Sequence, residues 1–162
     1  VTGALKMLGN LKSDIQFLHV TGEHDYPWVS RAYRTESVRA EVLKFTNDMY
    51  KLYARAHFVI GRSGALTVSE LAAAGRGALL IPYPYAVDDH QAANARYLVD
   101  RDAAFMIRQH ELTEKKLADV IVNMINEPKK FIHMGELAGS LATPDAARRI
   151  ADWLVERGGT AS

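Results

Sequence analysis

The sequence contains no cysteine among its 162 residues. That excludes a disulfide framework, a thiolate metal centre and a cysteine nucleophile. It also lacks an excess of either charge: 20 Lys and Arg stand against 19 Asp and Glu, a formal net charge of +1. Without a global positive field, nucleic acid is not an expected partner. No apolar run approaches the roughly 18 residues of a membrane-spanning helix, and no cationic start leads into a signal-like core. What remains is ordinary: 48% hydrophobic and 24% charged residues, a composition that buries a core and excludes low-complexity disorder.

Apolar runs of strand length alternate with helix-period stretches. Ile15–Val20, Val42–Phe45, His57–Ile60, Ala78–Ile81 and Ala103–Ile107 read as strands. The last three are almost continuously apolar, as in a parallel sheet covered on both faces. Helices are expected over 25–35, from Asn47 or Asp48 to Ala56, over 66–74 ending at Gly75, over 88–100, from a Thr113 cap through 126, over 128–141 and over 144–157. The alternation predicts an α/β fold, a Rossmann-like parallel sheet flanked by helices. Residues 1–157 are expected to form the domain and 158–162 a flexible tail.

The start departs from this pattern. Val1–Leu11 reads as a helix with no strand before it, whereas a doubly wound sheet normally begins on a strand that lies centrally in it. The sheet is therefore expected to lack its first strand, either because the chain is cut from a larger protein or because another element supplies it.

The stretch Gly61-Arg62-Ser63-Gly64-Ala65-Leu66-Thr67-Val68-Ser69-Glu70 leaves a strand and opens a helix. Unpaired amides at a helix N-terminus attract phosphate, and the small residues let it approach the backbone. Arg62 adds a charged donor and Thr67 a hydroxyl. Glu70 offers a carboxylate that can accept from a ribose diol. On spacing alone, a plain capped helix with a solvated Glu70 is the more common case for a strand–turn–helix. Neither a Walker loop nor a Gly-x-Gly-x-x-Gly motif is present.

A second stretch, Pro82-Tyr83-Pro84-Tyr85 followed by Asp88-Asp89-His90-Gln91 and Asn94, leaves the carboxyl end of the fourth strand, where open α/β sheets bind ligands. Gln91 and Asn94 share a helix face and suit sugar hydroxyls. Adjacent Asp88, Asp89 and His90 diverge on a helix, so no metal site is expected. A third, Phe45-Thr46-Asn47-Asp48-Met49, exposes backbone groups where a strand runs into a helix.

In this order the three stretches resemble the C-terminal domain of the MurG family. These are bacterial N-acetylglucosaminyltransferases of the GT-B type that convert lipid I to lipid II in peptidoglycan synthesis. The likeness covers nearly the whole chain, and Arg62 to Gly75 carries it almost letter for letter. Thr46 stands where the family usually has Ile. The resemblance implies one half of a GT-B architecture and a UDP-N-acetylglucosamine site without a cofactor. Thr46 would meet the uracil edge through its backbone, and Arg62 would line the base and ribose pocket. Ala65, Leu66 and Thr67 would bring the helix start to the diphosphate, with Ser63, Gly64, Val68 and Ser69 also in the substrate-binding set, and Glu70 would hold the ribose. His90 and Gln91 would contact the sugar, with Asn94 in support.

The resemblance puts lipid I and the general base on an N-terminal acceptor-binding domain that this chain lacks. It therefore implies no catalytic residue here and no turnover by this chain alone. It also implies peripheral location on the cytoplasmic side of the inner membrane. Two other readings stay open: a non-catalytic nucleotide-sugar-binding subunit working with a separate acceptor-binding chain, and an epimerase acting on the same sugar nucleotide. The helix over 113–126, with Lys115 and Lys116 near Lys129 and Lys130, is expected to face the core rather than a bilayer.

Overall fold

A computed structural model describes residues 1–146, 148, 151–153 and 155. The five strands are β1 (Gln16–Val20), β2 (Arg39–Leu43), β3 (Phe58–Gly61), β4 (Gly77–Leu80) and β5 (Ala104–Met106). The six helices are α1 (Tyr26–Thr35), α2 (Met49–Arg55), α3 (Ala65–Ala74), α4 (His90–Val99), α5 (Glu114–Asn126) and α6 (Pro128–Ser140). Every pairing is parallel. The strands form two pieces, β2-β1 and β3-β4-β5, and among the described residues no ladder joins β1 to β3.

Three expectations shift. Val1–Leu11 is not an α-helix but two 3-10 segments, Thr2–Met7 and Gly9–Ser13, broken where Gly9 takes φ +53°. Only Ala4, Leu5 and Leu8 of this stretch pack fully into the core. The second strand starts at Arg39 rather than Val42. Ser37, at φ 55°, ends α1 and turns the chain at once into β2. Charged Arg39 and Glu41 hid that start, although Glu41 sits in the strand with its carboxylate on the Arg55 guanidinium at 2.6 Å. The helix expected from residue 88 begins at His90, behind a 3-10 turn at Val87–Asp89 in which Asp88 and Asp89 both have positive φ. Within 144–157 the described positions 146, 148, 151–153 and 155 are helical. Ile150, Leu154, Arg157 and the tail at 158–162 lie outside the described residues.

Local signals explain the rest. Thr113 caps α5, its Oγ1 accepting from the Lys116 amide at 3.1 Å. Gly75, at φ 60°, closes α3, and the next amide, of Arg76, donates back to the Leu71 carbonyl. One core cluster joins α1, α5 and the first 3-10 segment to one sheet face through Leu5, Val29, Tyr33, Leu79 and Ile121. The other joins α3, α4 and α6 to the opposite face through Leu71, Ala78, Leu80, Ala95, Leu98 and Ala138. Helices thus cover both faces, and β4, buried throughout, is the most enclosed strand. The loops that follow the carboxyl ends of β3 and β4 carry the candidate site.

Candidate functional site

Gly61 ends β3, and three residues later Gly64, extended at ψ 151°, starts α3. No side chain caps this helix. Val68 is its first residue with a bonded amide, donating to the Gly64 carbonyl at 3.0 Å. The amides of Ala65, Leu66 and Thr67 have no partner among the described residues, and Leu66 beside them is 72% exposed. Three N–H groups and the positive end of a ten-residue helix therefore face open space. No side chain among the described residues hydrogen-bonds to them.

Ser63 is fully buried. Its hydroxyl donates to the Gln91 carbonyl at 2.8 Å, and its own carbonyl accepts from Asn94 Nδ2 at 3.2 Å. These two bonds fasten the β3–α3 loop to the first two turns of α4. The Ser63 side chain and the Asn94 amide thus serve this junction. Gln91 works similarly at its oxygen, which accepts from the Tyr83 amide at 2.9 Å, so its amide nitrogen is the end left for a ligand. His90 has Nδ1 against the Val87 carbonyl at 2.7 Å. That contact requires the proton on Nδ1 and leaves Nε2 as the outward atom.

Arg62 reaches across the sheet end. Its guanidinium donates to the carbonyls of Ile81 and Pro82, both at 3.2 Å, and lies 5.5 Å from the centre of the Tyr83 ring. Glu70 accepts from the Tyr53 hydroxyl at 3.1 Å through Oε2, and Oε1 has no partner among the described residues. The two line a hollow of about 330 Å³ with Tyr50, Ala73 and Arg76. Burial first, and the Glu70 carboxylate second, push the Tyr53 hydroxyl up to about 12. Thr46 turns inward on its own loop, its Oγ1 accepting from the Asp48 amide at 3.0 Å. Ser69 likewise donates to the Ala65 carbonyl at 3.1 Å, and Val68 is buried.

The sequence residues therefore fall into groups. Ser63, Gln91 and Asn94 are tied together, Arg62 and Thr67 line a larger cavity between β1 and β3, and Glu70 opens on the α2–α3 hollow. Two contributors escaped the sequence reading. Tyr53 reads as one more apolar residue of an amphipathic helix, and only the fold pairs it with Glu70. Arg108, just beyond β5, grips the Asp89 carboxylate with two guanidinium nitrogens at 2.7 and 3.2 Å. That fork holds Asp89 below the usual carboxylate range and pins the turn that precedes α4. Among the described residues no cluster of acids and histidines could hold a metal ion.

Residues 1–150 match the C-terminal domain of glycosyltransferase family 28. The chain belongs to that family. It is 44% identical over 156 residues to the UDP-N-acetylglucosamine–N-acetylmuramyl-(pentapeptide) pyrophosphoryl-undecaprenol N-acetylglucosamine transferase of Myxococcus xanthus, covering 96% of this chain and 41% of that protein. The transferase of the same name from Xanthomonas oryzae is 41% identical over 160 residues, covering 99% and 36%. Among solved structures, Acinetobacter baumannii MurG superposes with a TM-score of 0.86 at 32% identity, over 96% of this chain and 44% of that one. The glycosyltransferase VinC, at 16% identity and TM-score 0.68, shares the fold. The chain thus spans about two fifths of the length of the curated relatives it matches. This family 28 domain carries the fold of a GT-B C-terminal half, a parallel Rossmann-like sheet flanked by helices.

Proposed function

We propose that this chain is the donor-binding half of an inverting hexosyltransferase that moves N-acetylglucosamine from UDP-N-acetylglucosamine to lipid I. The observation that carries the reading is the open start of α3, whose three unpartnered amides suit a diphosphate. Around it, Arg62 and the free Oε1 of Glu70 suit the uridine, and the free amide of Gln91 with Nε2 of His90 suits the sugar. Thr46 would serve the uracil through its backbone, since its hydroxyl is already engaged. As UDP leaves, the helix dipole and amides stabilise the charge developing on the diphosphate, with no step that calls for a metal. The attacking hydroxyl and its general base belong to an N-terminal acceptor-binding domain outside these residues, and catalysis requires both sides of the cleft. The whole protein works peripherally at the cytoplasmic face of the inner membrane; among the described residues no helix is long and apolar enough to cross it.

Calorimetric titration with UDP, UDP-N-acetylglucosamine and UDP-N-acetylgalactosamine tests this. The reading expects both UDP and the N-acetylglucosamine nucleotide to bind, with the N-acetylgalactosamine nucleotide weaker. Binding of none of the three by the chain joined to its acceptor half would overturn it.

A further inference from the structure

At the turn that opens α4, two successive non-glycine residues take left-handed backbone, Asp88 at φ 50° and Asp89 at φ 52°, a pairing found nowhere else among the described residues. The other two left-handed non-glycine residues, Ser37 and Asp102, each stand alone shortly past a helix end, where that conformation is usual. A helix start normally follows an extended residue, and each left-handed step is unfavourable for an L-residue. Such a conformation persists only where its surroundings hold it.

Arg108 supplies that hold. Its guanidinium donates to both oxygens of the Asp89 carboxylate, at 2.7 and 3.2 Å, a planar fork that fixes direction as well as distance. The base of the fork is itself anchored. One residue earlier, the Ile107 amide donates to the Leu80 carbonyl at 3.1 Å, and the Arg108 carbonyl accepts from the Glu111 and Leu112 amides at 2.9 and 3.1 Å. The clamp thus runs from the carboxyl end of the sheet to the turn. Immediately beyond the turn stand His90, with Nδ1 on the Val87 carbonyl, and Gln91, with Oε1 on the Tyr83 amide. Both members of the ion pair are partly exposed, so the pair adds little to global stability and its effect is local orientation.

We propose that Arg108 is a positioning residue for sugar discrimination: by clamping Asp89 in its left-handed conformation, it aims His90 and Gln91 at the hexose of a bound nucleotide sugar without touching the ligand itself. This role rests on the donor-site reading and divides recognition in two. The amides that open α3 sit on a loop tied by Ser63 and Asn94, with no hydrogen bond to Arg108 among the described residues, so the diphosphate contacts do not depend on the clamp. The hexose contacts do.

The test titrates the chain joined to its acceptor half with UDP, UDP-N-acetylglucosamine and UDP-N-acetylgalactosamine by calorimetry. Arg108→Gln keeps a polar head but loses the charged fork. It is expected to leave UDP affinity within about twofold and the Tm within about 2 °C, while cutting the preference for the N-acetylglucosamine nucleotide by about fivefold or more. Arg108→Lys, a point charge that cannot form the fork, is expected to lose the preference as well. In a Gln91→Ala background, Arg108→Gln should remove little more, since one residue acts through the other. An unchanged preference in either Arg108 variant, an equal loss for UDP and both sugar nucleotides, or additive losses with Gln91→Ala would overturn the proposal. A second readout needs no ligand. Nitrogen NMR of the His90 ring is expected to show the Nδ1-protonated form in the unaltered chain and a mixture of tautomers in Arg108→Gln, and an unchanged ring would also overturn it. If the unaltered chain bound none of the three nucleotides, the donor-site reading would fall, and the role in discrimination with it. Binding with an unchanged preference in Arg108→Gln would overturn this role alone.

Discussion

Glu70 gives one carboxylate oxygen to the Tyr53 hydroxyl, and the other has no partner among the described residues and is the one proposed for the ribose. Losing a charged acceptor costs about 1.5–3 kcal/mol, so Glu70→Ala is expected to weaken UDP itself about ten- to hundredfold by calorimetry. Gln91→Ala should leave UDP nearly unchanged and narrow the preference for N-acetylglucosamine over N-acetylgalactosamine. Equal losses for UDP and the sugar nucleotide in both variants would contradict these roles. Tyr53 also makes a pH signature. Its ordinary value is near 10 and the fold raises it to about 12, so the folded state holds a proton that the unfolded chain releases. Stability contributed this way is intact below pH 10 and is lost as pH rises toward 12. Denaturant titrations across that window should show a falling midpoint, shallower in Tyr53→Phe. Burial pushes Tyr33 up as well, so the slope does not vanish in that variant.

Helix packing sets a sharper limit around α6. A Cβ on Gly135 would stand 2.7 Å from the Gly75 carbonyl oxygen, a backbone atom that cannot swing away. Gly135→Ala should therefore destabilise the domain by about 1–3 kcal/mol, read as a lower denaturant midpoint with unchanged slope. No sequence pattern announced this contact, because Gly135 sits mid-helix, where glycine reads only as a weak helix former. The elements themselves were largely legible. Buried strands such as β4 have no polar residue to confuse them, and Gly75 and Thr113 mark helix ends by their own chemistry. β2 was displaced because its first residues carry charge, and the opening helix failed because Gly9 interrupts it. Among the site residues, the small-residue turn was readable as an anion cradle. That Ser63 points inward was not, since its partner lies on a helix 28 positions away.

At the scale of the whole molecule, the proposed reading gives this chain the donor side of the cleft. The 162 residues alone are expected to show no glycosyl transfer above background in an assay with UDP-N-acetylglucosamine and lipid I. Activity at the level of a full-length enzyme would show that the acceptor machinery does not need a second domain. The split sheet and the site are also neighbours, since the cavity between β1 and β3 ends at Arg62 and Thr67. Finally, buried Ser63 rivets the turn that opens α3 to the start of α4. On the proposed reading, a donor held at its pyrophosphate by that turn would find its hexose contacts already set at a fixed spacing. Free energies measured for UDP and for the sugar moiety separately should not add up to that of the intact nucleotide sugar, and loosening the rivet would shrink the surplus.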